Sequence, residues 1–142
     1  MLFRSYRRAL TVLREVEDWP WVAEVHSNIG RSLLAVGDPE GAKESFRASL
    51  STSLDCNSKS GMLRALIGFA HLAVQSRPED ALTLYLFASR HPITVHTDKK
   101  IAQEALDALH PTSEQLAAAA ARAEELELVA TAKKLLRDGA LS

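Results

Sequence analysis

A single cysteine, Cys56, stands in the whole chain, which excludes an internal disulfide. Aromatic residues are scarce, at 6%, and this argues against a β-sandwich or barrel, whose strands favour aromatic and β-branched side chains. No apolar run approaches the roughly 18 residues of a membrane span, and no apolar core before a small-residue site marks a secretory leader. Charge of one sign is also missing, because the net charge is −1. Such balance provides no global pull toward nucleic acid or an anionic membrane. Together these absences predict a reduced, cytoplasmic, water-soluble chain with no membrane partner.

Glycine and proline are few, six and five in 142 residues, so each one punctuates. Between them, apolar residues recur at helical spacing nearly everywhere. Tyr6, Ala9/Leu10, Leu13 and Val16 form one such face, with Arg4, Arg7, Arg8 and Arg14 largely on the other. Asp18-Trp19-Pro20 opens a second helix, carrying Val22, Val25, Ile29 and Leu33. Gly37-Asp38-Pro39 then supplies a C-terminal glycine, an N-cap and a first-turn proline in three consecutive residues, the mark of a tight helix–turn–helix. Polar Asn57-Ser58-Lys59-Ser60 caps the next helix, and Ser76-Arg77-Pro78 starts another. His91-Pro92 ends that one, Ile93 to Val95 reads as a connector, and Thr97 is expected to cap the helix that follows. Thr112 to Gln115 fits a capping box opening an alanine-rich segment. Residues 113–138 read either as one long helix or as two broken near Glu125-Leu126-Glu127-Leu128. Abundant alanine and leucine with short connections predict an all-α chain of about eight helices, in which neighbours run antiparallel.

A repeat lies inside this pattern. Ile29-Gly30 is followed twelve residues later by Ala42 and four further on by Phe46; Ile67-Gly68 is followed thirteen later by Ala81 and four further on by Tyr85. An interior helical glycine costs about 1 kcal/mol against alanine, so a close helix approach should compensate for it. Small residue in one helix, then alanine and an aromatic in the next, resembles the tetratricopeptide repeat. The resemblance covers roughly residues 2–92 and implies an α-solenoid of helix hairpins in one domain, 1–142. Residues 1–17 correspond to the second helix of a truncated repeat, 20–54 and 58–91 to two hairpins, and 93–138 to atypical capping helices. Two departures stand out: His26 and Arg64 occupy the aromatic position at the start of the first helix, and the copies exceed the 34-residue period. Ala117–Ala121 and Leu126-Glu127-Leu128 are similar to the C-terminal ends of bacterial signalling ATPases and transcriptional activators that carry repeats behind a nucleotide-binding module.

Catalytic chemistry is hard to find. None of the five histidines pairs at i,i+4 around a glutamate, Cys56 has no histidine or aspartate companion in sequence, and Gly37 to Lys43 lacks the strand and the Gly-Lys-Ser/Thr ending of a phosphate loop. The expectation is a non-enzymatic protein without metal or cofactor. His91, His96 and Asp98 are read as solvated loop residues, and His71 as a satisfied core residue. What the repeat resemblance implies is a binding groove lined by the first helix of each hairpin. Its lining would be Glu24, Ser27, Asn28, Arg31 and Leu34, then Met62, Ala65, Leu66, Phe69 and Leu72. Asn28 would hold a peptide backbone, Arg31 would pair a carboxylate, and Met62 and Phe69 would provide an apolar floor. The function implied is a protein-interaction or regulatory module of a larger bacterial signalling or transcription-regulating protein, with a peptide or partner domain as ligand. Two alternatives remain: homodimerisation through Leu2, Phe3, Tyr6 and Leu10, and nucleic-acid binding through Arg4, Arg7, Arg8 and Arg14.

Overall fold

Eight helices account for all the regular structure among the described residues: α1 (Leu2–Glu15), α2 (Trp19–Ala35), α3 (Pro39–Asp55), α4 (Lys59–Ala73), α5 (Pro78–Arg90), α6 (His96–Ala108), α7 (Ser113–Glu124) and α8 (Leu128–Asp138). The computed structural model describes residues 2–141, with the side chain of Leu2 outside the described set.

The first three turns share one geometry. In each, a residue in the left-handed region follows the helix, namely Glu17 (φ 58°), Gly37 (φ 84°) and Asn57 (φ 55°). The next residue's amide then reaches back to close the turn: Asp18 to Leu13, Asp38 to Leu33 and Ser58 to Ser53, each at 2.8 Å. That same residue caps the helix ahead, since Asp18 accepts from the Trp21 amide, Asp38 from Gly41 and Ser58 from Gly61. The orphan groups at both helix ends are therefore satisfied within three or four residues, which makes the turns tight and antiparallel packing obligatory. The Thr112/Gln115 capping box forms at α7, with reciprocal bonds of 2.8 and 3.1 Å. At α6 the helix begins at His96 rather than after Thr97, and its start has no side-chain cap. Residues 113–138 form two helices, broken at Glu125–Glu127, where Glu127 caps α8 through the amides of Val129 and Ala130.

Phe46 on α3 explains the two interior glycines. The Cδ1–Cε1 edge of its ring abuts both Gly30 on α2 and Gly68 on α4. A Cβ at Gly30 would lie 2.6 Å from Phe46 Cε1, and one at Gly68 2.5 Å from the same atom. The ring is buried in the main apolar cluster, which runs from α3 to α8. The α2–α3 seam carries a polar pair: Ser49 donates to the Ala23 carbonyl at 2.7 Å, so Ser27 is the donor in the 2.7 Å Ser27–Ser49 contact. α1 is held apart from this core, by Leu10 against Val22 and Val25, with Tyr6, Ala9, Leu13 and Ile29 around them.

The last three helices do not continue the hairpin pattern. α6 packs on α5 and α4, α7 on α5, and α8 returns to α3 and α4, while neither α6 and α7 nor α7 and α8 pack together. Long-range bonds hold the tail in place. Buried Asp80, in the first turn of α5, accepts from Arg122 of α7 at 2.9 Å and from the Leu141 amide at 3.2 Å, and Arg77 donates to the Gly139 carbonyl at 3.1 Å.

Candidate interaction face

Helices α2 and α4 meet along a face that begins with an ion-pair bridge. Arg64 of α4 donates through Nε to Asp98 of α6 at 3.0 Å, and its Nη1 lies 3.4 Å from Glu24 of α2. Arg64 stands where the repeat resemblance expects an aromatic, and as a largely buried cation it needs carboxylate partners. Glu24, an expected groove residue, is thus engaged by the chain itself.

Two turns further along α2, Arg31 donates to Asn28 Oδ1 at 2.7 Å. The Asn28 amide is thereby turned inward along its own helix, with its NH2 group left for other partners. Arg31 is exposed and has no carboxylate partner among the described residues. Across from it on α4, His71 Nδ1 meets the Tyr85 hydroxyl of α5 at 2.5 Å. Burial, with the Arg31 charge adding to it, lowers the imidazole to about 4, and burial pushes the Tyr85 phenol up. The pair is therefore neutral in the physiological range, and the His71 ring is satisfied, though half-buried at a cleft rather than in the core. Beyond it opens a cleft of about 410 Å³ lined by Leu34, Pro39, His71, Leu72, Val74 and Gln75.

Five expected groove residues lie elsewhere. Met62 and Phe69 are 1% and 4% exposed, so they form no open floor. They belong to the same apolar cluster as Leu128, Ala132 and Leu135 of α8, and α8 lies on α3 and α4 where the groove reading left a gap. Ala65 and Leu66 are fully buried too. Ser27 is turned into the α2–α3 seam, and its hydroxyl is used up by Ser49. The i, i+4, i+7 spacing of Leu128, Ala132 and Leu135 is itself an apolar stripe that must be covered by something.

At the N-terminal end, Leu10 is buried, and Tyr6 and Phe3 are half-buried. Tyr6 and Leu10 pack toward α2, so the helix face named for homodimerisation is mostly occupied, while the Leu2 side chain lies outside the described residues. What stands free instead is Val12 and Val16, with Trp19 and Trp21 at the same end of the α1–α2 turn. Arg4, Arg7 and Arg8 are exposed, whereas Arg14 reaches His26 Nε2 at 3.4 Å.

Cys56 is half-buried, contacts the Ser53 carbonyl at 3.8 Å, and borders a cleft of about 280 Å³ with Trp19, Thr52 and Asp55. Among the described residues no group of three or more His, Cys, Asp or Glu side chains could hold a metal ion, and no helix is long and apolar enough to cross a membrane. Compared with protein-family profiles, with curated proteins and with solved structures, the chain matches none of them.

Proposed function

We propose that the chain is a non-catalytic interaction or regulatory module of the tetratricopeptide kind, part of a larger signalling or transcription-regulating protein, and that it takes an extended acidic peptide across α2 and α4. One observation carries this reading. Arg31 is an exposed guanidinium, oriented by Asn28, with no carboxylate partner among the described residues, beside an apolar-lined cleft. A guanidinium held in one orientation loses little freedom on pairing with a carboxylate, and Leu34, Leu72 and Val74 offer a seat for one apolar side chain of the same peptide. Self-association through α1 is a second reading, favoured by exposed Val12 and Val16, and it engages a different face.

The test is fluorescence anisotropy against a library of acidic peptides containing one aliphatic residue. Arg31→Glu should weaken the best binder about tenfold or more, and Arg31→Lys should retain part of the affinity. A library without binders, or a binder indifferent to Arg31→Glu, would sink the reading.

A further inference from the structure

The outward side of α1 is chemically unlike the rest of the molecule. Arg4, Arg8, Thr11 and Glu15 follow one another at i, i+4, i+7 and i+11, all exposed, on the side opposite the Tyr6–Ala9–Leu10–Leu13 face that packs on α2. Exposed Val12 and Val16 flank this stripe. Its charges run against the helix dipole, since Arg4 lies in a first turn with no acid and Glu15 closes the negative end. Arg4 and Arg8 also repel each other at i,i+4. Among the described residues none of Arg4, Arg7 and Arg8 forms an ion pair. A basic first half and an acidic end on one exposed stripe make a surface complementary to itself when reversed.

We propose that α1 docks on α1 of a second copy of this chain, antiparallel, about a two-fold axis between Thr11 and Val12. Reversal about that point sets Arg8 of each copy opposite Glu15 of the other, and Val12 opposite Thr11, so one self-complementary patch makes two ion pairs around an apolar centre. The partner's Glu15 thereby gives Arg8 a counter-charge and relieves its repulsion with Arg4. One helix per copy, about 21 Å long, covers less than the ~800 Å² a side of a standard stable interface. The dimer is accordingly weak, concentration-dependent and sensitive to salt. The docking is independent of the peptide reading for α2 and α4, because it leaves Arg31 and its cleft open.

Sedimentation equilibrium from micromolar to millimolar protein, at low and high salt, tests the proposal, with circular dichroism verifying that each variant keeps its helicity. The wild-type chain should show a monomer–dimer equilibrium that salt weakens. Arg8→Glu and Glu15→Arg should each weaken the dimer roughly tenfold, because the symmetry counts every substitution twice. Those two variants, mixed in equal amounts, should dimerise with each other, and the double variant should self-associate as the wild type does. A wild-type chain that stays monomeric at millimolar concentration overturns the proposal. So does a dimer that ignores both single substitutions, or one that Arg31→Glu dissociates instead. A duplex-DNA shift that disappears when Arg4, Arg7 and Arg8 are replaced, with no dimer present, would assign the arginines to nucleic acid and overturn it as well.

Discussion

Replacing Gly68 by alanine sets two effects of known sign against each other. Helix propensity alone predicts stabilisation by about 1 kcal/mol, since glycine is the poorer residue in a helix interior. The structure predicts the opposite. The added Cβ would lie 2.5 Å from Phe46 Cε1 and 2.6 Å from Cγ, closer than real Cβ contacts come. The ring cannot retreat, because Phe46 is 1% exposed and the same ring edge already rests on Gly30. Overpacking of a closed core costs about 1–3 kcal/mol, and contacts this short put the substitution toward the upper end. The net expectation is a loss of about 1–2 kcal/mol, read in urea titrations followed by circular dichroism, or as a drop in Tm of roughly 3–4 °C per kcal/mol for a domain of this size. A double-mutant cycle isolates the cause. Gly68→Ala combined with Phe46→Leu should be less destabilised than the sum of the single changes, by about 1 kcal/mol or more. If Gly68→Ala is as stable as wild type or more so, or if the two changes simply add, the wedge explanation for the interior glycines is wrong.

Other perturbations probe the same framework. The folded state holds His71 near 4, while the unfolded chain titrates it near 6.5. The unfolded state therefore binds more protons between those values, and stability is complete above about pH 6.5 and lost as pH falls toward 4, by ~3 kcal/mol in order of magnitude. His26 and His91 are lowered as well, by burial first and neighbouring cations second, and act in the same direction. Chemical denaturation at a series of pH values should show that slope, and His71→Gln should flatten most of it. Glu17→Gly relieves a left-handed non-glycine residue at the α1–α2 turn and should stabilise that junction by about 1 kcal/mol; an unchanged or lower Tm would contradict the turn geometry. Asp80→Ala strands Arg122 and the Leu141 amide, so faster hydrogen exchange should appear in α7 and residues 139–141 but not in α2–α3; uniform exchange changes would mean that Asp80 does not clasp the tail.

Much of the chain's design was legible in its order of residues. Asp18, Asp38 and Ser58 cap helices where they stand because a cap involves only the next three residues, and the Thr112/Gln115 box is equally local. The Gly30–Ala42–Phe46 phrase predicted a close packing, since an interior glycine makes sense only where another helix or ring comes near. Within the candidate site, Asn28 and Arg31 were each expected to meet a peptide, and only the structure shows them bonded to one another. Glu17 and Asn57 gave less warning, for their left-handed backbone is imposed by turns that Gly37 alone announces.

The composition and spacing alone determined an all-α chain, most of its helix starts (α6 excepted) and the places of its first three turns, because those are decided by contacts within a few residues. Only the tertiary structure decided what each helix touches. Leu128, Ala132 and Leu135 form a stripe that would suit any apolar groove, and it was shape that brought α8 onto α3 and α4, into the same cluster as Met62 and Phe69. Arg64 needed carboxylates, yet Glu24 and Asp98 stand 40 and 34 residues away. Asp80 meets Arg122 and Leu141 across 42 and 61 residues. Partners so distant are selected by the whole packed core, after every local preference has been met.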